Sequence, residues 1–512
     1  MTKQLIYAML AALSFILVSC VKHDEGPVAS SSNVSLLNKG NDGKASLDLI
    51  EDDVANGLLD KDNANRYREY AVSAPVKLPQ KYQSSEKGKD ATYSMLQMAK
   101  EWGQLSASTK KEILDLRANG FGNLKETKET RHYILHYTTQ SNFAVPLQDN
   151  DHNGIPDYID VAAQSWETVW NREVEQLGYP APKGTPQQKF HVYYKDISYY
   201  GYTVPENIEL ISISPVPLGT ASAWIVVEND FYGFPRNDED VTGLEPIRSG
   251  AVKVTQAHEF MHACQFNINV YQSGWLFESH ATWAEDAVYD GINDWHWYIN
   301  RFLATPDHPI FNRYVYGSAF FMNWLSETYG VDVTRQIWFA ARTRTAPNAV
   351  RDAAFGGSWE GMKAFGSAEY SLNISDFTSD GSTVIPLPHN HINATYTSYP
   401  VDVQVPIGTN KDPNRAPWGL GANFVEFIAA QSGTLTVTFD GTDGYAWRAF
   451  VVATPRNGNG SATVTEITLN GKSAGSIDVS GFGTRWSKVT LVPTIADRPG
   501  VEVPYSYGAS VK

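Results

Sequence analysis

The chain has 512 residues, 42% hydrophobic and 19% charged, with 14 Trp, 27 Tyr and 22 Phe. Such a composition excludes a disordered or fibrous protein, and the length exceeds what one core can hold, so two or three folded domains are expected. A formal net charge of −15 repels polyphosphate and argues against nucleic acid as a partner.

In chain order, Lys3 precedes the apolar run LIYAMLAALSFILV, which has the length of a signal peptide and is short for a membrane span. The run closes with Leu17-Val18-Ser19-Cys20, which resembles the lipobox of bacterial lipoproteins. That resemblance implies that residues 1–19 are removed and that Cys20 carries the lipid. The expectation is a protein of the cell envelope, held to a membrane through its N-terminal acyl chains alone. Cys264, the only other cysteine, lies in an apolar helical context and reads as a buried small hydrophobe.

Residues 20–65, rich in Ser, Asn and Asp, read as a flexible tether. Residues 66–125 carry apolar residues at helical spacing (Met95, Met98, Trp102, Leu105, Ile113, Leu116) and read as a helical preface or a propeptide. Strand patterns follow in RHYILHYTT, QKFHVYYKDI and ASAWIVVEND, and helical ones in EPIRSGAVKVTQAHEFMHACQFNI, FESHATWAEDAVY and GSAFFMNWLSETYG. The segments NFVEFIAA, GTLTVTFDG, WRAFVVAT and WSKVTLVPTI alternate with Gly/Asn/Asp turns. They predict a β-sandwich over 395–512, after a mixed α+β catalytic domain over 126–394.

The chemistry concentrates in AHEFMHACQF, where His258, Glu259 and His262 form H-E-x-x-H. On a helix, i and i+4 share a face, so both imidazoles can reach one zinc ion, and Glu259 can reach a water beside it. A catalytic zinc needs a third protein ligand and an open fourth position. The downstream segment GWLFESHATWAEDAV supplies candidates in Glu278 and His280, which lie on nearly opposite faces of a helix. Glu285, seven residues after Glu278, returns to the same face and can hydrogen-bond a ligand histidine.

These segments resemble the gluzincin peptidases, which include the thermolysin-like enzymes and related aminopeptidases. The resemblance implies that Glu278 is the third ligand and Glu285 its supporting carboxylate, although Phe277 stands where those enzymes carry Asn. A metzincin third histidine is excluded, because positions 265 and 268 are Gln and Ile. RYVYGSAFFMNWL resembles the Tyr-x-x-Gly-helix segment of the aminopeptidases and implies that Tyr314, with Tyr316 as a near competitor, donates to the oxyanion. By the same resemblance, a peptide substrate adds to a sheet edge, with ASAWIVVEND as the expected edge.

DNDHNGIPDYID (149–160) matches the calcium-loop pattern through Asp149, Asp151, Asn153, the Ile155 carbonyl, Asp157 and Asp160, with Gly154 at the turn. Asp160 stands where the pattern has Glu. The loop, the zinc helix and the β-rich tail together resemble a group of secreted bacterial proteins regarded as metallopeptidases. The expected function is a lipid-anchored zinc peptidase, endo- or exo-acting, with one catalytic Zn²⁺ and one structural Ca²⁺ and a protein or peptide as substrate. The alternative is a surface lipoprotein that binds protein or glycan on an inactive peptidase scaffold. Oligomeric state is not legible.

Overall fold

Alternating burial along Tyr133–Tyr137 and Phe190–Lys195, inward at every second residue, marks the strands on which the first half of the chain is built. The computed structural model describes residues 43–121, 124–371, 376, 392–408, 415–456, 462–498 and 500–512. The signal-peptide and Cys20 expectations lie outside the described residues. No described helix is long and apolar enough to cross a membrane.

The chain divides into two compact units. The first comprises the described residues up to Ile213, with Pro217–Tyr271 and Ala284–Asp294; the second comprises Ser214–Val216, Gln272–Trp283 and Trp295–Lys512. Both contain helices and strands, so the α+β class holds.

The first unit contains α1 (Ser46–Ala55), α2 (Lys61–Ser73), β1 (Gly88–Asp90), α3 (Thr92–Glu101), α4 (Ala107–Phe121), β2 (Glu126–Glu129), β3 (Tyr133–Tyr137), α5 (Asp157–Trp170), β4 (Phe190–Lys195), β5 (Tyr199–Ser212), β6 (Leu218–Glu228) and α6 (Ser249–Phe266). Its sheet runs in the order β1-β5-β6-β4-β3-β2. Strands β3, β4 and β6 are parallel, β5 is antiparallel to β6, and β1 is parallel to β5.

Helices cover both faces of this sheet. On one, Leu47, Ile50, Tyr70, Met95, Met98 and Ile113 pack with Tyr199, Tyr202, Val204 and Val226. On the other, Phe260 of α6 meets the rings of Tyr133, Trp166, Trp170 and Phe190, with centroids 5.6 to 6.4 Å apart.

Three sequence expectations change here. The described part of the 20–65 tether contains α1 and the start of α2. Leu47 and Ile50, three residues apart, supply an apolar stripe that polar composition had hidden. The 66–125 preface is no separate body, because it contributes β1 to the sheet and half of one core. ASAWIVVEND forms most of β6, which is an interior strand; the strand toward the edge is β5, capped by β1.

Helix α7 spans Gly274–Tyr289. The second unit continues with α8 (His296–Leu303), α9 (Ala319–Tyr329), α10 (Asp332–Ala340), α11 (Ala346–Phe355) and α12 (Phe365–Ser371). Strands β7 (Ala394–Tyr396), β8 (Val403–Val405), β9 (Val425–Ile428), β10 (Gly433–Gly441), β11 (Trp447–Pro455), β12 (Thr463–Glu466), β13 (Ala474–Phe482), β14 (Trp486–Ile495) and β15 (Tyr505–Val511) follow. Strands β13 and β14 pair only at Phe482 and Trp486, which leaves two ladders, β12-β11-β14-β9-β7 and β13-β10-β15-β8. Both bury alternate residues in one core, among them Phe427, Val451 and Leu491 from the first and Val437, Phe439 and Tyr507 from the second. The boundary expected near residue 394 is displaced, since α8–α12 belong with these strands.

Candidate metal centre

Helix α6 is buried on every side, from Gly250 to Phe266 with the exception of Lys253. It is therefore a core helix rather than an amphipathic surface one. Its first turn is satisfied by Asp240, whose carboxylate accepts from the backbone N–H groups of Gly250 (3.0 Å) and Ala251 (2.8 Å). Gly201 of β5 allows the helix to approach the sheet, because a Cβ there would stand 2.9 Å from Glu259 Cγ.

The two histidines are each fixed through Nδ1. His258 Nδ1 lies 2.7 Å from Glu285 Oε1, and His262 Nδ1 lies 2.8 Å from Gln265 Oε1. Such bonds set the tautomer and direct Nε2 to a metal. Ligand atoms of Asp90, His258, His262 and Glu278, all buried, lie within 4.8 Å of one another. This donor set of two imidazoles and two carboxylates can hold a metal ion. Glu278 reaches it from α7, two turns before Glu285 on the same helix face. His280 is outside the group and stacks on Trp283, with ring centroids 5.1 Å apart.

Behind Glu285 stands a buried cation. Lys89 Nζ donates to Glu285 Oε2 (2.9 Å) and to Asp294 Oδ2 (2.6 Å), and lies 4.5 Å from the ring centroid of Tyr200. The Lys89 ammonium thus stands between two buried carboxylates, one of which holds the His258 ring.

Glu259 is buried beside the group. Thr203 Oγ1 donates to it, 2.8 Å from Oε2, and Thr92 Oγ1 lies 2.9 Å from the same oxygen. Burial first, and then the neighbouring Asp90 charge, push the Glu259 carboxyl well above the usual range. Sequence reasoning missed Asp90, Lys89, Thr92, Thr203 and Gln265. Gln265 had a local signal, being three residues after His262 on one helix face. Lys89, Asp90 and Thr92 had none, since residues 88–92 come from the segment read as a preface, and Thr203 lies on β5, a strand that the sequence pattern did not mark.

Tyr314 belongs to the second unit, where the Arg301 guanidinium lies 3.8 Å from its ring centroid and the Tyr298 ring 6.3 Å away. Gly317 beside it is required by packing, because a Cβ there would meet Phe302 Cβ at 2.5 Å and the Tyr298 carbonyl at 2.6 Å. Cys264 is buried, and burial pushes its thiol well above the ordinary range, which suits an inert core residue.

In the acidic loop, Asp149, Asp151 and Asp157 converge within 4.8 Å. Asn153 N–H lies 3.1 Å from both Asp149 Oδ1 and Asp151 Oδ1, while Gly154, at φ 84°, donates to Asp149 Oδ2 at 3.0 Å. Asp160 stands beside this group of three. It lies in the first turn of α5, accepts from Asn153 Nδ2 at 2.8 Å and pairs with Lys128 at 3.3 Å. Asp160 thus keeps contact with the loop through Asn153, while Asp149, Asp151 and Asp157 form the converging group. The Ile155 N–H donates to Asn153 Oδ1 at 2.7 Å, so this residue is held within the loop.

A family model described as "Family of unknown function (DUF6055)" matches residues 89–460, and its match begins at the buried lysine. No curated protein matches. Among solved structures, chitosan-binding module 1 of a chitosanase/glucanase from Paenibacillus sp. IK-5 is similar at 15% identity and a TM-score of 0.14, over 23% of this chain and 96% of the module. A family GH115 4-O-methyl-α-glucuronidase with specificity for decorated arabinogalactans is similar at 10% identity and a TM-score of 0.15, over 65% of this chain and 53% of that enzyme. Both scores are too low for either structure to stand for this fold.

Proposed function

Because the chain belongs to the family of unknown function DUF6055, no activity comes with membership, and we propose from the site itself that it is a zinc-dependent peptidase of gluzincin type. One observation carries this reading: His258, His262 and Glu278 converge in a buried group, one residue from a carboxylate that threonines hold in place. Zinc suits this mixture of nitrogen and oxygen donors, and when bound it supplies Lewis acidity, polarising a carbonyl and lowering the pKa of water. Glu259 takes the proton of the attacking water and returns it to the leaving amine. Thr203 fixes the orientation of that carboxylate through Oε2. Glu285 and Gln265 hold the histidine rings so that Nε2 remains for the ion. By the gluzincin resemblance, Tyr314 is the hydroxyl that stabilises the oxyanion. Lipidation at Cys20 would put the enzyme at the cell envelope.

The test combines metal analysis with a peptide-library digest. Wild type should carry one zinc and cleave peptides. Glu259→Gln should keep the zinc and lose about 10²- to 10⁴-fold in rate, the usual contribution of a general base. Tyr314→Phe should lower kcat with KM little changed, and Cys20→Ser should lose palmitate labelling. A Glu259→Gln variant that cleaves as wild type does would refute the peptidase assignment.

The second reading, a binding lipoprotein on an inactive scaffold, is favoured by Asp90. A fourth protein donor in the group resembles the closed arrangement of a structural zinc site. In the acidic loop, the three carboxylates suit a hard cation, and we propose Ca²⁺ there as a brace at the start of α5.

A further inference from the structure

The surroundings of Asp90 carry the regulation of this site. Asp90 stands on β1, and β1 pairs with β5 through Gly88↔Tyr199 and Asp90↔Gly201. Gly201 is the residue that lies against Glu259. The backbone of β1 therefore occupies the strand edge opposite the general base, which is where an extended peptide would add to the sheet.

The side chains of this segment reach into the same site. Asp90 Oδ2 lies 3.9 Å from His262 Nε2 and belongs to the group of four donors. Thr92 positions it: the Thr92 N–H donates to Asp90 Oδ2 at 2.8 Å, and Thr92 Oγ1 lies 2.7 Å from Asp90 Oδ1. The same Thr92 Oγ1 accepts from the Thr203 N–H at 2.7 Å and lies 2.9 Å from Glu259 Oε2. Its one proton serves one carboxylate at a time, so Asp90 and Glu259 are held as a coupled pair. On the other side of the strand, Lys89 ties β1 to Glu285, the group that orients His258.

We infer that residues 88–92 form an autoinhibitory strap, in which the Asp90 carboxylate occupies the fourth ligand position while β1 covers the β5 edge. The inference rests on the metal-dependent reading above and deepens it. A catalytic site keeps its fourth position for water and substrate. An acid that reaches this position from the chain itself competes at high effective concentration. The parallel ladder is the weaker kind of pairing, and only two residue pairs join β1 to β5, which suits a segment that must leave. Lys89 opposes departure, since its ammonium is buried between two carboxylates. Cleavage by the intact chain therefore comes from the minor fraction in which β1 has left, and displacement or excision of β1 raises it. When the strap leaves, Thr203 stays on β5 and still holds Glu259.

The experiment uses the full chain loaded with Co²⁺ and titrated with acetohydroxamate, followed by visible absorption. A metal whose fourth position is blocked binds such a probe only in the fraction of molecules that have opened. Asp90→Asn and Asp90→Ala should bind acetohydroxamate at least about tenfold more tightly than wild type, because they remove that competitor. Asn retains a side-chain acceptor for the Thr92 N–H, so it is the milder test of folding. Equal affinity in wild type and both variants, each with one Co²⁺ bound, overturns the strap. A measurement on wild type alone keeps the question open to refutation if neither variant folds. Water-proton relaxation should reveal no exchangeable water on Co²⁺ in wild type, and a fast-exchanging inner-sphere water overturns the inference. Absence of stoichiometric Co²⁺ in wild type overturns the metal reading itself, a result distinct from failure of the strap.

Discussion

At the buried group, two imidazoles and two carboxylates are delivered by two long helices and a strand, and each histidine ring is fixed by a second side chain. At residues 149–157, three partly exposed carboxylates stand on a loop and at the first residue of α5, held mainly by backbone N–H groups of the same loop. The first site has nitrogen donors and a rigid surround, which suit a borderline ion in a fixed geometry. The second has oxygen donors and a compliant backbone, which suit a hard ion with a variable coordination number. Burial also sets what each ion is worth. Four donors without a cation at the first site crowd two carboxylates in the core, whereas water solvates the acids of the loop. Metal at the buried site should therefore be tied to activity and folding, and metal at the loop to a modest local gain.

The largest expected effect separates the two directly. His262→Ala should reduce bound zinc from one per chain to none by elemental analysis, because apparent binding free energies of about 10 kcal/mol or more depend on a complete ligand set. Asp157→Asn should leave the zinc content at one. Loss of zinc in Asp157→Asn would break the comparison, since it would mean that the loop and the buried group form one coupled site.

Next in size is the support behind the ligands. Glu285→Gln keeps an acceptor for the His258 Nδ1–H and removes the charge that faces Lys89. Zinc affinity should fall about 10- to 100-fold, as is usual when such a partner of a ligand histidine is altered, read by competition with a chromophoric chelator. Unchanged affinity would show that orientation alone, without the carboxylate charge, is what the site requires.

What was legible in the sequence follows the same division between local and remote. His258, Glu259, His262, Glu278 and Glu285 all lie on two helices, and the 3.6-residue period alone brings His258 and His262, or Glu278 and Glu285, to a common face. The loop was legible because its acids lie close together in the chain, with Asp149, Asp151 and Asp157 converging and Asp160 bonded to Asn153 beside them. Asp90 and Thr92 were not legible. They meet α6 across a separation of 167 residues between Thr92 and Glu259, and nothing in residues 88–92 signals that they add to a sheet. Strand β5 was missed for a related reason. Its first half, YYGYTVP, contains Gly201 and Pro205, which read as turn residues; here the glycine admits α6 and Pro205 lies on the pairing with β6. The second unit's long strands β10, β11 and β14 were visible as apolar alternation, while the affiliation of α8–α12 with them depends on contacts that no local pattern encodes.

The smallest effect belongs to the loop. Isolated oxygen-rich sites outside the cytosol commonly bind Ca²⁺ with Kd of about 10⁻⁴ to 10⁻³ M. At about 10 mM Ca²⁺, linkage then gives a stabilisation on the order of 1 to 3 kcal/mol, read as a rise of a few degrees in Tm. Asp151→Asn removes one of the three converging carboxylates and should abolish the Ca²⁺-dependent rise while leaving peptide cleavage and zinc content as in wild type. Because the start of α5 is what the ion would brace, amide exchange over residues 157–163 should slow on addition of Ca²⁺ in wild type and not in the variant. A Ca²⁺-dependent rise that persists in Asp151→Asn would place the ion elsewhere, and the acids of this loop would then act only as acceptors for the loop's own N–H groups.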